Sequence, residues 1–270
     1  MRVSSRTALW AAVLVGGSAH AASAWATHGE LGIVMARGNA NTNSGDLKLA
    51  VARELGRWTY SAALAGLYAS TNGLTTQQDT NAHLRADLAL SERTFWFGGV
   101  LFDRNLFSGF AYQASAASGI GRVFVHSRTD KFTAELGAGV RRELPEQLAQ
   151  NGLGAVISRT RLAAVDDAVL HAGAQFQHRL SHDAKLLNTL LVESGSSDTM
   201  SADNLSLQVQ MRKSLALSVG VQVRNNTNPP PGKVRHTDTV MTVNLVYDFH
   251  TAKISATAPT PPLLQGLNLP

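Results

Sequence analysis

TVMTVNLVYDF, residues 239–249, is the stretch whose reading decides the fold. Met241, Val243, Leu245, Tyr247 and Phe249 share one parity, while Thr242, Asn244 and Asp248 fall on the other. Such alternation describes a β-strand with one apolar and one wet face. The terminal pair Tyr247 and Phe249 suits a strand whose outer face stops at a membrane–water boundary, where amphipathic rings settle. Taken alone, the stretch fits an ordinary sandwich strand equally well, with its polar side in water. The rest of the chain has to separate the two.

Period two recurs almost throughout. Leu31, Ile33 and Met35 alternate with Gly32, Val34 and Ala36, and a turn at Gly38–Asn43 follows. Leu47, Leu49 and Val51 oppose Lys48, Ala50 and Ala52. Next, Trp58, Tyr60, Ala62, Leu64, Gly66 and Tyr68 share a face with aromatics at both ends. The ten residues from Trp58 to Tyr68 cover roughly 33 Å of strand at ~3.3 Å per residue. Tilted ~40°, that projects to roughly 25 Å, the height of the apolar band between the aromatic girdles of a membrane barrel. Trp58, Tyr60, Tyr68, Tyr247 and Phe249 are therefore the expected interface aromatics.

Further strands repeat the pattern. Ala82–Leu90 sets leucines and alanines against His83, Arg85 and Asp87, and Phe132–Val140 opposes Glu135 and Arg141. Leu170–Phe176 opposes His171, Gln175, Gln177 and Arg179; Leu205–Met211 opposes Gln208, Gln210 and Arg212; Leu215–Val223 opposes Gln222 and Arg224. Thr94–Asp103 is apolar on both faces and its register stays unassigned; Phe110–Val125 and Lys185–Glu193 are further spans. The total is about twelve strands. Tight connections (Leu55–Arg57, Ser91–Arg93, His126–Thr129, Ser181–Asp183, Lys213-Ser214) alternate with mostly longer ones at Thr71–Gln78, Arg104–Gly109, 144–163 (irregular, with strand character around Val156–Leu162), Gly195–Ala202 and Asn225–Thr237. Outer-membrane barrels have short turns at one end, long loops at the other and an even strand number. Closure also removes the edges an open sheet of this length would have to protect. The expected fold is all-β: a transmembrane antiparallel up-and-down β-barrel over residues 27–249, with a soluble periplasmic β-protein as its rival.

The flanks fit export. Residues 1–26 carry Arg2 and Arg6, an apolar core at Ala8–Val15 and A-x-A sites at Ala19–Ala21 and Ala24–Ala26, which reads as a cleaved signal peptide cut after Ala26. Beyond it no run approaches the ~18 apolar residues of a spanning helix. Residues 250–270 break the alternation with Pro259, Pro261 and Pro262 and read as a mobile tail. The chain has no cysteine, which excludes disulfides and thiolate metal sites. Without Arg2 and Arg6, 22 basic residues face 19 acidic ones, with no basic run or interleaved aromatics, so nucleic acid is not an expected partner.

Several segments together resemble the YdiY-like family of salt-induced outer-membrane proteins, a domain of unknown function. They are Gly38-Asn39 followed by Thr42, Gly119–Arg122, Glu135–Glu143, Pro229–Lys233 with Asp238, and the finish Leu245–Phe249. The resemblance covers residues 29–249 in the family's order. It implies an outer-membrane barrel with a stress- or salt-related role, and no reaction, ligand or catalytic residue. The 144–163 stretch and the proline-rich tail depart from the pattern, so loop chemistry does not carry over.

Site chemistry is sparse. Gly119-x-Gly121 and Gly137-x-Gly139 lack the strand–turn–helix setting of a phosphate loop and read as small residues at a crowded wall. His178 and His182 have helical ligand spacing but lie at a strand end and in a turn, which favours solvated histidines over a metal site. There is no G-x-S-x-G; Ser61, Ser115, Ser118 and Ser206 with His83 or His171 are raw material that no spacing pairs. No catalytic, cofactor or metal residue is assigned, and an enzyme is not expected. The inward set remains: Lys48, Arg85, Asp87, Glu135, Arg141, His171, Gln175, Gln177, Arg179, Gln208, Gln210, Arg212, Gln222 and Arg224. These side chains either line water or plug the lumen. The expected partners are outer-membrane lipid and, through the C-terminal strand, the barrel-assembly machinery. The expected role is envelope integrity or small-solute passage in a Gram-negative outer membrane. A lipid- or peptide-directed barrel enzyme and a loop-mediated adhesin are the alternatives.

Overall fold

The ring closes because each strand of its wall finds a partner on both edges. A computed structural model describes residues 25–36, 42–106, 108–150, 156–230 and 236–250. In order these form β1 (Ala26–Ala36), β2 (Thr42–Leu55), β3 (Trp58–Thr71), β4 (Leu74–Ala89), β5 (Thr94–Asn105), β6 (Phe110–His126) and β7 (Asp130–Gln150). Then come β8 (Val156–Arg161), β9 (Val165–Arg179), β10 (Ala184–Ser194), β11 (Thr199–Arg212), β12 (Leu215–Asn226) and β13 (Thr237–His250). The strands pair antiparallel with their neighbours along the chain, β7 pairs with β9, and β1 meets β13 to seal the cylinder. β8 pairs only with the far end of β7, so twelve of the thirteen strands make the wall. A closed wall leaves no unpaired backbone edge to face hydrocarbon, the condition a spanning sheet must meet.

Burial runs inside out. On β13 Met241 is 74% exposed, while Asn244 and Val246 on the opposite parity are 1% exposed. Leu136 and Leu170 are exposed, whereas Arg141 and Asp87 are buried. A continuous apolar exterior of this kind suits acyl chains, not water. Aromatics bracket it. At the tight-turn end, Trp58 stacks on Tyr60 (6.0 Å between ring centroids) and meets Trp96 edge-on (6.0 Å), and Tyr247 meets Phe249 at 4.8 Å. Tyr68 lies at the opposite end of β3, near the end of the barrel where Phe102 stacks on Tyr112 at 5.9 Å. The five expected interface aromatics therefore divide between the two rims, four to one.

One expected loop is a tight hairpin, and the 144–163 connection holds the strand expected around Val156–Leu162 together with a β7 longer than expected. Thr71–Gln78 is a two-residue hairpin at Asn72-Gly73, whose φ values of 52° and 80° match the turn that Asn-Gly favours, and β4 starts at Leu74. The 144–163 stretch is largely the continuation of β7 and the short β8, paired from Glu146↔Arg161 onward. Both errors have one cause. Beyond the apolar band both faces of a strand are wet, so the hydrophobic alternation fades although the ladder continues. The other long connections shorten to 106–109, 195–198 and 227–236, so the contrast between the two ends rests on the β7–β8 excursion and 227–236. β5 also gains its register: Phe95 and Phe97 point inward, Val100 and Phe102 outward. The leader (residues 1–24), most of the turn at 38–43, residues 231–235 and the tail beyond His250 lie outside the described residues. β1 opens at Ala26, so a cut after Ala26 would leave its strand starting at Thr27.

Candidate functional site

The lumen is built by side chains of one parity, and glycines on one wall make room for rings from another. A Cβ on Gly121 would lie 2.0 Å from Cζ of Phe95, and one on Gly137 3.0 Å from Cζ of Phe97. The glycine pairs expected at a crowded wall thus sit where β5 turns its phenylalanines inward. Phe97 then forms a floor for charge, with the Arg85 guanidinium 4.7 Å from its centroid and the His171 ring at 5.3 Å.

On that floor sits a continuous ion network. Arg85 donates to Asp87 (Nε to Oδ1, 2.9 Å) and, as a two-pronged fork, to Glu135 (Nη1–Oε1 2.9 Å, Nη2–Oε2 2.7 Å). His171 places Nε2 3.2 Å from Glu135 Oε1 and Nδ1 3.3 Å from Glu193 Oε1, and Ser115 donates to that same Glu193 oxygen at 3.0 Å. Arg141 lies 3.0 Å from Glu143 and donates to the backbone carbonyls of Glu193 (3.1 Å) and Asp198 (2.9 Å). Gln113 donates to Glu143 at 2.6 Å. Charges this buried persist only when paired and hydrogen-bonded, and removing one partner costs ~3–5 kcal/mol.

A second cluster stiffens the seam. His28 bridges Asp248 (2.8 Å) and Glu30 (3.1 Å), Lys48 donates to Glu30 (2.7 Å), and Asn244 donates to both Glu30 and Asp46 at 2.9 Å. These residues come from β1, β2 and β13.

The end opposite the tight turns is narrowed from above. Arg224 on β12 reaches Asp103 on β5 (Nη1–Oδ2, 2.7 Å) and lies 3.5 Å from Asp79 on β4. β12 and β5 are six strands apart whichever way the ring is followed, so the pair spans the lumen. Over it, Pro230 packs against Gly109, Arg159 donates to the Leu106 carbonyl, and Asp198 accepts from Thr227 Oγ1 and Asn228 N, both at 2.8 Å. Asp167 ties down the 195–198 turn through Ser196 Oγ and Ser197 N at 2.7 and 2.8 Å.

Between network and mouth remains a cavity of about 250 Å³. Its lining includes six carboxylates (Glu30, Asp46, Asp79, Asp103, Glu135, Glu193) against three permanent cations (Lys48, Arg85, Arg224). Among the described residues, Asp79 Oδ1 and Glu193 Oε2 are buried without a hydrogen-bond partner.

Of the residues expected inside, Lys48, Arg85, Glu135, His171, Gln175, Gln208, Gln222 and Arg224 line this cavity. Asp87 and Arg141 are buried in the network behind it. Gln177 is half-buried further along β9. Arg179 and Arg212 are exposed at the tight-turn rim, where β9 and β11 end, and Gln210 there donates to the Arg212 and Leu215 carbonyls. A strand's parity holds past the rim, but the enclosure does not. Missed were His28, Glu30, Asp46, Asp79, Asp103, Glu143, Glu193 and Asp248. Parity alone would have found Glu30 and Asp248; Asp103 lay in the strand without register. His178 pairs with Asp130 (2.7 Å) and His182 with its neighbour Asp183 (2.7 Å), two separate turns rather than one site. Ser115 and His171 meet on a shared carboxylate oxygen, not on each other.

Comparison with known proteins adds the lineage. The chain is 24% identical over 180 residues to the uncharacterized protein YdiY of Escherichia coli, covering 67% of this chain and 66% of that protein. Among solved structures it is similar to the NanC porin (TM-score 0.46, 11% identity, 83% of this chain and all of that one). It is also similar to the β-domain of the Bordetella autotransporter BrkA (TM-score 0.39, 12% identity, 83% of this chain and 97% of that one). The profile of the protein family of unknown function DUF481 matches residues 29–249, and the chain belongs to that family.

Proposed function

We propose that the chain is an outer-membrane barrel of the Gram-negative envelope that passes only small hydrophilic solutes and carries out no chemistry. One observation carries this reading: the lumen keeps a charged, hydrated-scale cavity of about 250 Å³ instead of packing solid. That volume is below the ~300–1,000 Å³ of pockets that hold drug-sized ligands, which favours ions and the smallest solutes. The tight-turn end would face the periplasm and the β7–β8 excursion the exterior, the usual arrangement of short turns and long loops. Lipid would cover the apolar belt, and the terminal strand ending at Tyr247 and Phe249 would serve the barrel-assembly machinery. A stress- or salt-related role rests on the family resemblance alone.

Planar-bilayer recording of the refolded mature chain tests the reading. The expected result is a unitary conductance well below that of an open porin, with no passage of disaccharides in liposome swelling. A bilayer that stays silent at all voltages would overturn it. The second reading, a barrel whose only work is mechanical, draws support from the Arg85–Glu135 network filling one side of the lumen. It predicts that silence.

A further inference from the structure

We infer that Arg224 is a tethered cation occupying a cation site at the mouth, and that the lumen beneath it selects monovalent cations. This rests on the passage reading above and names its substrate class and gate.

Four observations converge on this. First, Arg224 is anchored on β12 yet its guanidinium lies 2.7 Å from Asp103 and 3.5 Å from Asp79, side chains of the facing wall. Its ladder partner on β13 is a third carboxylate, Asp238. The guanidinium therefore sits where a free cation crossing the mouth would be drawn. Second, Asp79 is 7% exposed and is among the residues lining the cavity, and its buried Oδ1 has no hydrogen-bond partner among the described residues. One arginine does not satisfy both acids. Third, the same acceptor surplus continues inward: Glu193, 1% exposed as a residue, also lines the cavity, and its buried Oε2 has no partner among the described residues. A carboxylate oxygen takes a donor or a cation as its partner, and not an anion. Fourth, the lining carries twice as many carboxylates as permanent cations. A narrow, low-dielectric passage lined by one sign of charge concentrates the opposite ion. Among the described residues no group of three or more histidines and carboxylates could chelate a metal, so the surplus suits weakly held monovalent ions that enter and leave.

The gate follows from geometry. With the guanidinium seated between Asp79 and Asp103, the bridge narrows the mouth and neutralises the acids it touches. Displacing it widens the mouth and frees their charge together.

The test is recording of refolded wild type, R224Q and D79N/D103N in phosphatidylcholine bilayers under a KCl gradient, each first checked for heat-modifiable migration. R224Q is expected to raise unitary conductance severalfold while the reversal potential stays on the potassium side; D79N/D103N is expected to move it toward zero. If wild type is silent and R224Q conducts potassium, the gate stands and the resting-passage reading falls. Currents in which R224Q matches wild type, or in which chloride carries as much as potassium, overturn the inference and leave the passage reading intact. Silence from all three overturns both. Should R224Q fail to refold, R224M carries the same test, because it removes the charge that bridges both acids while keeping an unbranched stem; it is expected to raise conductance as R224Q does, and no rise overturns the gate.

Discussion

Arg85 and Glu135 stand on β4 and β7, three strands apart around the ring, and still meet through two parallel bonds of 2.9 and 2.7 Å. The wall between them, β5 and β6, must curl tightly for that fork to close. Glu135→Ala is expected to destabilise the barrel by ~3–5 kcal/mol, the cost of leaving a buried guanidinium short of its partner. Glu135→Gln, which keeps an acceptor for the fork, should lose less. Urea unfolding of the protein in vesicles measures both, and a glutamine variant as unstable as the alanine one would refute the pairing as the cause.

The apolar exterior makes a directional prediction. Arginine at Leu136, in the middle of the outward face of β7, should cost ~2–4 kcal/mol. The same residue at Gln175, on the neighbouring strand but facing the cavity, should cost far less. Folding yield into vesicles for L136R and Q175R compares them directly; equal losses would contradict the assignment of faces.

Gly121 and Phe95 share one volume. Gly121→Ala should destabilise by ~1–3 kcal/mol through overpacking, because its new methyl would fall 2.0 Å from the ring. Phe95→Leu in the same chain should relieve part of the penalty. A double-mutant cycle in urea reads that coupling, and additive effects would mean the two residues do not press on one another.

At the Asn72-Gly73 hairpin nothing lies within 4 Å of a Cβ placed on Gly73, so only backbone conformation is at stake. Gly73 has φ of 80°, and alanine there should cost about 1–2 kcal/mol. Asn72→Gly should be nearly silent, since glycine adopts the same φ without strain. Thermal loss of heat-modifiable migration ranks the two variants.

How legible the barrel was depended on where each strand met hydrocarbon. Leu136 outward and Glu135 inward could be read from parity, as could Met241 against Asn244, because lipid and lumen impose opposite demands on adjacent residues. β5 could not be read. Its inward Phe95 and Phe97 lie against Arg85 and the glycine-bearing wall rather than water, so both faces are apolar. The extramembranous parts of β4 and β7 were lost for the converse reason, both faces being wet. The candidate site was half visible: Arg85, Asp87, Glu135, His171 and Arg224 could be placed inside, but not Glu193, Asp79 or Asp103. That Arg224 finds Asp103 depends on how closely two opposite walls approach, a property of the whole ring that no local pattern encodes.

The seam between β1 and β13 has a consequence in time. His28 and Asp248, which bond across it, are separated by 220 positions, whereas most other wall strands pair with neighbours along the chain. A nascent chain can build hairpin upon hairpin while its final strand is still missing, but it remains an unrolled ribbon with two sticky margins. The cylinder is therefore sealed as a last and all-or-none event, and whatever escorts the polypeptide to the bilayer must shield both margins until Met241–Phe249 arrives.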